Sequence, residues 1–387
     1  MRSKQATMGS QASPRRRPGL RGWLAAGLLA LGTAASASET PLNRALGEQV
    51  VFIRHSMGVE LETTVFRPDG PGPFPLVIVN HGKSPGDPKF QRRARYLVAA
   101  RELVRRGYAV AIPMRGGFSR SGGFYVDGGC NIEGNARQQA SYLRSAVDWL
   151  AQQSWVDPRR MVLMGQSHGG LSALALASEP RVGVLGVINF AGGLRHTGGA
   201  CQYWEAELVA AFGRFGRTTA LPTLWFYGAN DSYFAPPLVQ RMHAAYTASG
   251  GAAKLVAYGP FKDDAHGTFG DRQGLVVWWP ETEVFLAALG LPVALQPRAT
   301  PADPALAALE DLSRLPNLSP GCAGVYASFL DADQPRAYAH SAKGACGYAF
   351  GVENVAQRAL EFCQRRGGES CRLYAVDERI VWNSKAD

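Results

Sequence analysis

One short segment restricts the possible folds of this chain more than any other. Residues 161–164 are apolar, residues 165–170 read Gly-Gln-Ser-His-Gly-Gly, and an Ala- and Leu-rich helical pattern begins directly after them. A strand that turns this sharply into a helix holds the central serine, Ser167, on a tight bend with its hydroxyl exposed. Glycines suit such a turn because the strand and the helix pass so close that a Cβ atom has little room. The segment therefore predicts a nucleophilic serine at the C-terminal end of a buried strand.

The pattern around this segment predicts a parallel sheet. Continuous apolar runs of strand length alternate with amphipathic helical patterns, which is typical of α/β folds with helices on both faces of the sheet. Before them, two alternating runs within residues 50–67 predict an antiparallel hairpin. Parallel strands are predicted at residues 75–80, 108–113, 160–164, 186–190, 222–227 and 254–258, and helices at 92–106, 135–152, 204–212, 237–248 and 282–289.

Composition divides the chain into four segments. Residues 1–37 place arginines ahead of an apolar stretch and a small-residue cleavage pattern, as secretory signal peptides do. Residues 38–291 hold the α/β pattern, prolines recur through residues 292–319, which we interpret as a linker, and residues 320–387 form a small Cys-containing α+β domain. The apolar stretch of the signal is too short to span a bilayer comfortably. We therefore expect an exported protein, periplasmic or secreted, without stable membrane insertion.

The charge of the chain argues against a nucleic-acid partner. The formal net charge of +10 falls to +4 without residues 1–37, which carry six basic and no acidic residues. The remainder has no basic stripe interleaved with aromatic residues, which is the usual electrostatic footprint of nucleic-acid binding. We expect a small-molecule or polymer-linked substrate instead.

All six cysteines follow the predicted signal, and an even number in an exported chain favours disulfide bonds. Cys130 and Cys201 follow the second and fourth predicted parallel strands, so both belong at the C-terminal edge of the sheet. We predict a bond between them that ties two active-site loops together. The other four candidates, which would form two bonds in the C-terminal domain, are Cys322, Cys346, Cys363 and Cys371.

A serine hydroxyl needs a histidine to remove its proton, and that histidine needs an acid to orient it. In a strand–elbow–helix architecture the chain order should be Ser, Asp or Glu, then His, each after a strand. His266 is the downstream histidine that follows a strand suitably, and Asp231 lies just past the strand at residues 222–227. Asp263 and Asp264 are rival acids, but they are so near His266 in sequence that we expect them to shape its loop.

The oxyanion of an acyl-transfer reaction needs two backbone N–H donors. One should be the amide of His168, directly after the nucleophile. The other should come from the loop after the first parallel strand, and we assign it to the amide of Lys83. Arg115 and Arg120 lie in a Gly- and Ser-rich loop near the expected mouth, which we interpret as a solvated loop rather than a substrate clamp.

These motifs resemble the α/β-hydrolase superfamily, and within it the dienelactone-hydrolase-like and prolyl-oligopeptidase-like branches. The resemblance covers roughly residues 42–291 and implies an α/β-hydrolase fold with Ser167 as nucleophile, His266 as base and Asp231 as acid. Dienelactone hydrolases themselves use a cysteine nucleophile, so the serine argues for another substrate. The motifs that carry the resemblance are His81-Gly82, Arg115-Gly116-Gly117, the elbow at residues 165–170, Gly228-Ala229-Asn230-Asp231 and His266-Gly267.

The C-terminal domain is similar to small exported bacterial domains that pair a helix-end cysteine with a nearby one. This similarity would join Cys363 to Cys371, and it implies nothing about the function of the domain.

The sequence thus predicts an exported serine hydrolase that cleaves carboxylic esters through an acyl-enzyme, with no cofactor and no metal. A serine peptidase of the prolyl-oligopeptidase-like type is the first alternative. A non-catalytic binding protein on a hydrolase scaffold is the second, and the complete Ser, Asp and His set argues against it.

Overall fold

The apolar runs of the sequence form an eight-stranded sheet in the computed structural model, which describes residues 42–196, 201–296, 304–330, 332 and 334–382. The strand order is β1-β2-β4-β3-β5-β6-β7-β8. Strands β3 to β8 are mutually parallel where they pair, and β1 and β2 form an antiparallel hairpin at one edge. The strands are β1 (Gln49–Arg54), β2 (Glu60–Phe66), β3 (Phe74–Asn80), β4 (Ala109–Pro113), β5 (Val156–Gln166), β6 (Val184–Phe190), β7 (Thr223–Gly228) and β8 (Ala253–Tyr258).

Helices cover both faces of this sheet because its central strands are apolar on both sides. One core joins the sheet to α2, α3, α4 and α5, and a second core on the opposite face joins it to α1 and α6. This architecture confirms the predicted α/β-hydrolase fold. The helices are α1 (Leu97–Val104), α2 (Ile132–Leu150), α3 (His168–Ala177), α4 (Trp204–Thr218), α5 (Pro236–Ala248) and α6 (Leu275–Ala288).

Two predicted helix starts were wrong, each for a local reason. Helix α1 begins at Leu97 rather than residue 92, because Arg93 and Arg95 leave the helical path to hold the buried carboxylate of Glu48. Helix α6 begins at Leu275 and carries Pro280 in its interior. Proline cannot donate to the carbonyl four residues earlier, and here that residue, Val276, is 81% exposed, so water can hydrate its carbonyl.

The C-terminal part contains a second, antiparallel sheet in the order β10-β9-β11-β12. The sequence predicts a single closing strand over residues 371–381, but the structure has a hairpin there, turned at Asp377 with φ +53°. Leu309 and Leu315 of the predicted linker are buried in the core of this part. Its elements are α7 (Pro304–Glu310), α8 (Pro320–Leu330), β9 (Arg336–His340), β10 (Cys346–Phe350), α9 (Val355–Arg365), β11 (Arg372–Val376) and β12 (Arg379–Ile380).

The predicted signal peptide and residues 297–303 of the predicted linker lie outside the described residues. No helix within the described ranges combines the length and the apolar character needed to cross a bilayer.

Candidate active site

Ser167 lies between β5 and α3 with a backbone conformation that few side chains adopt, φ +57° and ψ −125°. Its amide donates to the Phe190 carbonyl at 2.9 Å, and its own carbonyl accepts from the amides of Gly170 and Gly193 at 2.9 and 3.1 Å. A non-glycine residue held in such a conformation stores strain that the surrounding bonds must offset. Ser167 is therefore fixed at the end of the central strand, in the bend between β5 and α3.

Glycines are required at this elbow because neighbouring backbone is too close for side chains. A Cβ atom on Gly165 would overlap the carbonyl of Gly169, and a Cβ atom on Gly169 would overlap the carbonyl oxygen of Asn80. Asn80 is the last residue of β3. The start of α3 is thus pressed against the loop that follows β3, which brings the Lys83 and His168 segments to the same place.

Asp231 and His266 meet after β7 and β8. Nδ1 of His266 lies 3.1 Å from both carboxylate oxygens of Asp231. The carboxylate side chain is fully buried, and its Oδ1 also accepts the amides of Tyr233 and Phe234 at 2.8 and 3.0 Å. These bonds fix the carboxylate, which in turn orients the imidazole. Within the described residues no hydrogen bond joins Ser167 to His266, and hydrogen bonds of this kind are often long in unliganded enzymes.

The rival acid Asp264 shapes the loop that carries His266. Its Oδ1 accepts the amides of His266 and Ser232 at 2.9 and 3.0 Å, and its Oδ2 accepts the Ser232 hydroxyl at 2.6 Å. Burial alone would raise its pKa, but these hydrogen bonds and the neighbouring His266 lower it overall. Asp264 therefore stays ionised and holds backbone rather than the imidazole, while the other rival, Asp263, is exposed.

Gln166, which sequence reasoning missed, connects the loops around Ser167. Its Nε2 donates to the His266 carbonyl at 3.0 Å, and its Oε1 accepts the Tyr96 hydroxyl at 3.1 Å. The Tyr96 oxygen in turn accepts the amide of Gly82 at 3.2 Å. One side chain thus links the loop after β3 to the loop after β8. The only sequence signal for this role is the position of Gln166 directly before Ser167 in the elbow motif.

The amides of Lys83 and His168 donate no hydrogen bond to any described residue. His168 opens α3, so its N–H points out of the helix start, where helix geometry leaves N–H groups without partners. The His168 ring is buried, and its Nε2 donates to Asn135 Oδ1 at 2.6 Å. Asn135 uses its own amide group on the carbonyls of Val126 and Asp127, which leaves its oxygen as the acceptor.

The expectation of a solvated loop at Arg115 was wrong, because its side chain is fully buried. Nη1 donates to the His81 carbonyl at 2.6 Å, Nη2 lies 3.3 Å from His168 Nδ1, and Nε donates to Gln139 Oε1 at 3.1 Å. Burial, and then the charge of Arg115, hold the pKa of His81 and His168 well below the usual value, so both rings are neutral at neutral pH. Arg120, by contrast, is half exposed and pairs with Glu62.

The remaining downstream histidines have other partners. His196 Nδ1 lies 3.3 Å from Asp127, His243 Nε2 lies 3.0 Å from the Ala253 carbonyl, and His340 Nε2 lies 2.5 Å from the Pro316 carbonyl. In the described residues no group of three or more His, Cys, Asp or Glu side chains could hold a metal ion.

The structure contains three disulfide bonds, which join Cys130 to Cys201, Cys322 to Cys346 and Cys363 to Cys371. The first joins the loop after β4 to the segment just before α4. Because β3 and β5 lie between β4 and β6 in the sheet, this bond connects loops that come from either side of the Ser167 strand.

Residues 57–193, which include the elbow, match the X-Pro dipeptidyl-peptidase (S15) family. No curated protein sequence matches the chain. Three similar structures are a dienelactone hydrolase from Klebsiella pneumoniae subsp. pneumoniae, an esterase from Pyrococcus furiosus and dipeptidyl peptidase 4 from Porphyromonas gingivalis. Their sequence identities are 19, 15 and 15%, and their TM-scores are 0.46, 0.49 and 0.48. The matches cover 63, 64 and 62% of this chain and 98, 95 and 35% of the respective structures.

Removing the Cys130–Cys201 bond by a double serine substitution should lower the free energy of unfolding by about 4 kcal/mol, because the bond closes a loop with a sequence separation of 71. The matched double substitution of Cys363 and Cys371, with a separation of 8, should cost only about 2–3 kcal/mol. Urea unfolding followed by tryptophan fluorescence measures both. An equal or smaller loss for the first pair would contradict the expectation.

Proposed function

We propose that this chain, whose sheet and helices have the α/β-hydrolase fold, is an exported serine esterase of the dienelactone-hydrolase-like and prolyl-oligopeptidase-like branch. Ser167 is the nucleophile, His266 the general base and Asp231 the acid that orients it. The amides of Lys83 and His168 hold the oxyanion. The contact of His266 Nδ1 with both carboxylate oxygens of Asp231 is the observation that carries the proposal.

The arrangement supports this chemistry in three ways. A carboxylate on Nδ1 keeps the proton there, so that Nε2 of His266 is free to accept the proton of Ser167. The elbow holds the hydroxyl on a fixed bend between β5 and α3. Tyr233 stacks on the imidazole with ring centroids 4.3 Å apart, which limits rotation of the ring.

In the first half-reaction Ser167 Oγ attacks the ester carbonyl as His266 takes its proton. The resulting oxyanion accepts hydrogen bonds from the two backbone amides. His266 then gives the proton to the departing alcohol, and an acyl-serine remains. In the second half-reaction His266 deprotonates a water molecule, which attacks the acyl-serine. The bond from the acyl carbon to Oγ then breaks, His266 returns the proton to Ser167 Oγ, and the carboxylic acid leaves.

A serine peptidase is the second candidate, because residues 57–193 match an X-Pro dipeptidyl-peptidase family. The same three side chains and two amides serve amide and ester cleavage alike. We rank the esterase first because an alkoxide or phenolate leaving group asks less of the general acid than an amine does. The substrate in either case is a small molecule or a polymer-linked group, with no cofactor.

The triad is tested by substitution. Ser167→Ala should abolish labelling by a fluorophosphonate probe and lower ester turnover by about a millionfold. Asp231→Asn should lower kcat by about 10⁴-fold, because the imidazole then adopts the wrong tautomer. Asp263→Asn is the matched control and should leave turnover unchanged. Full labelling of the Ser167→Ala variant would refute the assignment of the nucleophile.

The same preparation distinguishes the two candidates. The wild-type chain should hydrolyse p-nitrophenyl acetate or butyrate with a kcat/KM at least tenfold above that for X-Pro p-nitroanilides. A preference for the anilides would make the protein a peptidase. A wild-type chain that is neither labelled nor active on any of them would instead favour a binding protein on this scaffold.

We also propose that the chain is exported and cleaved after Ala37. Disulfide bonds persist in oxidising compartments, and the three bonds agree with export. The intact mass of the protein recovered from the periplasm or medium should correspond to a chain that begins at Ser38. Recovery of the uncleaved chain from the cytoplasm would contradict export.

A further inference from the structure

Arg115 is a buried cation that forms an ion pair with none of the described acidic residues. Its side chain is fully buried, and no described carboxylate lies within 4 Å of its guanidinium. Its three hydrogen-bond partners are a backbone carbonyl, a neutral imidazole and a side-chain amide. Burying an ion without a counter-ion is costly. A neutral residue would fill the same space without this free-energy cost, so packing alone does not explain an arginine at this position.

The three partners of Arg115 lie on three different segments. The His81 carbonyl belongs to the loop after β3, the His168 ring to the first residue of α3, and Gln139 to α2. The backbone amide of Arg115 also donates to His81 Nε2 at 3.1 Å. A guanidinium is planar and rigid, so bonds at its separate nitrogens fix the spacing of the groups they reach.

Two of the bonded residues, His81 and His168, lie on the segments that carry the proposed oxyanion donors. His168 supplies one amide of the site, and Lys83, which supplies the other, lies two residues after His81. The two segments are in close contact, since a Cβ atom on Gly169 would overlap the carbonyl oxygens of Asn80 and His81. Arg115 thus connects the two segments of the site, the loop after β3 and the start of α3.

We propose that Arg115 is a positioning residue of the oxyanion site, which fixes the separation of the Lys83 and His168 amides and adds positive potential where the oxyanion forms. The inference rests on the function proposed above. Arg115 touches no substrate, and it acts through the two segments it joins.

The charge state of the cluster supports the electrostatic part of this role. Burial lowers the pKa of Arg115 to about 10, so it remains a cation at neutral pH. The His81 and His168 rings are neutral there. Arg115 therefore carries the positive charge of this cluster, in a region of low dielectric where charge acts strongly.

The test compares Arg115→Lys and Arg115→Met with wild-type protein on p-nitrophenyl acetate. Arg115→Met should lower kcat by about 100-fold, comparable to the loss of one oxyanion donor, with KM changed less than threefold. Arg115→Lys keeps the charge but loses the rigid, planar set of donors. Its kcat should be about tenfold above that of Arg115→Met and so about tenfold below that of the wild type. The inhibition constant of a boronic acid, which forms a tetrahedral anion on Ser167, should rise in parallel with the loss of kcat/KM.

Arg106→Met is the matched control. Arg106 is also a buried arginine, but it pairs with Glu102 at 2.7 Å in the region after α1, and its guanidinium lies over Trp279. This substitution should lower the melting temperature without changing kcat per folded molecule. Circular dichroism and active-site titration with a fluorophosphonate give the folded fraction of each variant.

Three outcomes would overturn the proposal. These are a wild-type kcat in folded Arg115→Met, an unchanged boronic acid affinity where kcat falls, and an equal loss of kcat in Arg106→Met. If Arg115→Met does not fold, Arg115→Lys decides alone, because its kcat and boronic acid affinity must both fall. Inactive wild-type protein would refute the proposed function, whereas active protein insensitive to Arg115 would refute only this inference.

Discussion

The strained backbone at Ser167 is the constraint on which the rest of the site depends. Its φ of +57° is held by hydrogen bonds that come from β6 and from the segment after it. Such strain persists only where the surrounding structure over-determines it. The sheet supplies that surrounding, because β5 lies between β3 and β6 and the ends of all three strands meet at one edge. The loops after β3 and β8 are then fastened to the same point, through Gly82 and Gln166.

Asp231 and Asp264 have different roles because each is held by different hydrogen bonds in these loops. Asp231 is buried under the amides of its own turn and faces the imidazole, whereas Asp264 holds the backbone of the loop that carries the imidazole. Neither could replace the other, because each is fixed by a different set of N–H donors. The cation Arg115 contacts the loop after β3 and the first residue of α3, through the His81 carbonyl and the His168 ring.

Local sequence patterns were sufficient to predict where the main residues of the candidate site lie. The glycine-rich elbow, the short run from Gly228 to Asp231 and the loop at His266 each follow a strand closely, so strand order alone brings them to one edge. The pairing of Cys130 with Cys201 followed from the same rule. These features depend on residues close together in sequence, or on the parallel arrangement of strands that they follow.

Other features depend on contacts between distant residues and left no local signal. The burial of Arg115 requires His81, Gln139 and His168, which lie 34, 24 and 53 residues away. Without knowledge of those partners, the Gly- and Ser-rich composition of the loop after β4 predicts a solvated loop. The start of α1 likewise depends on Glu48, 45 residues before Arg93. The hairpin after Cys371 was missed because Asp377 turns the chain without a glycine or a proline.

In the proposed mechanism Ser167, His266 and the two amides of the oxyanion site act on one carbonyl. A crystal structure of the protein with an aryl phosphonate bound covalently tests it most directly. We expect phosphorus on Ser167 Oγ, the phosphoryl oxygen about 2.7–3.1 Å from the amides of both Lys83 and His168, and His266 Nε2 within hydrogen-bond reach of the adduct. An adduct on another residue, a phosphoryl oxygen turned away from both amides, or an imidazole far from the adduct would contradict it.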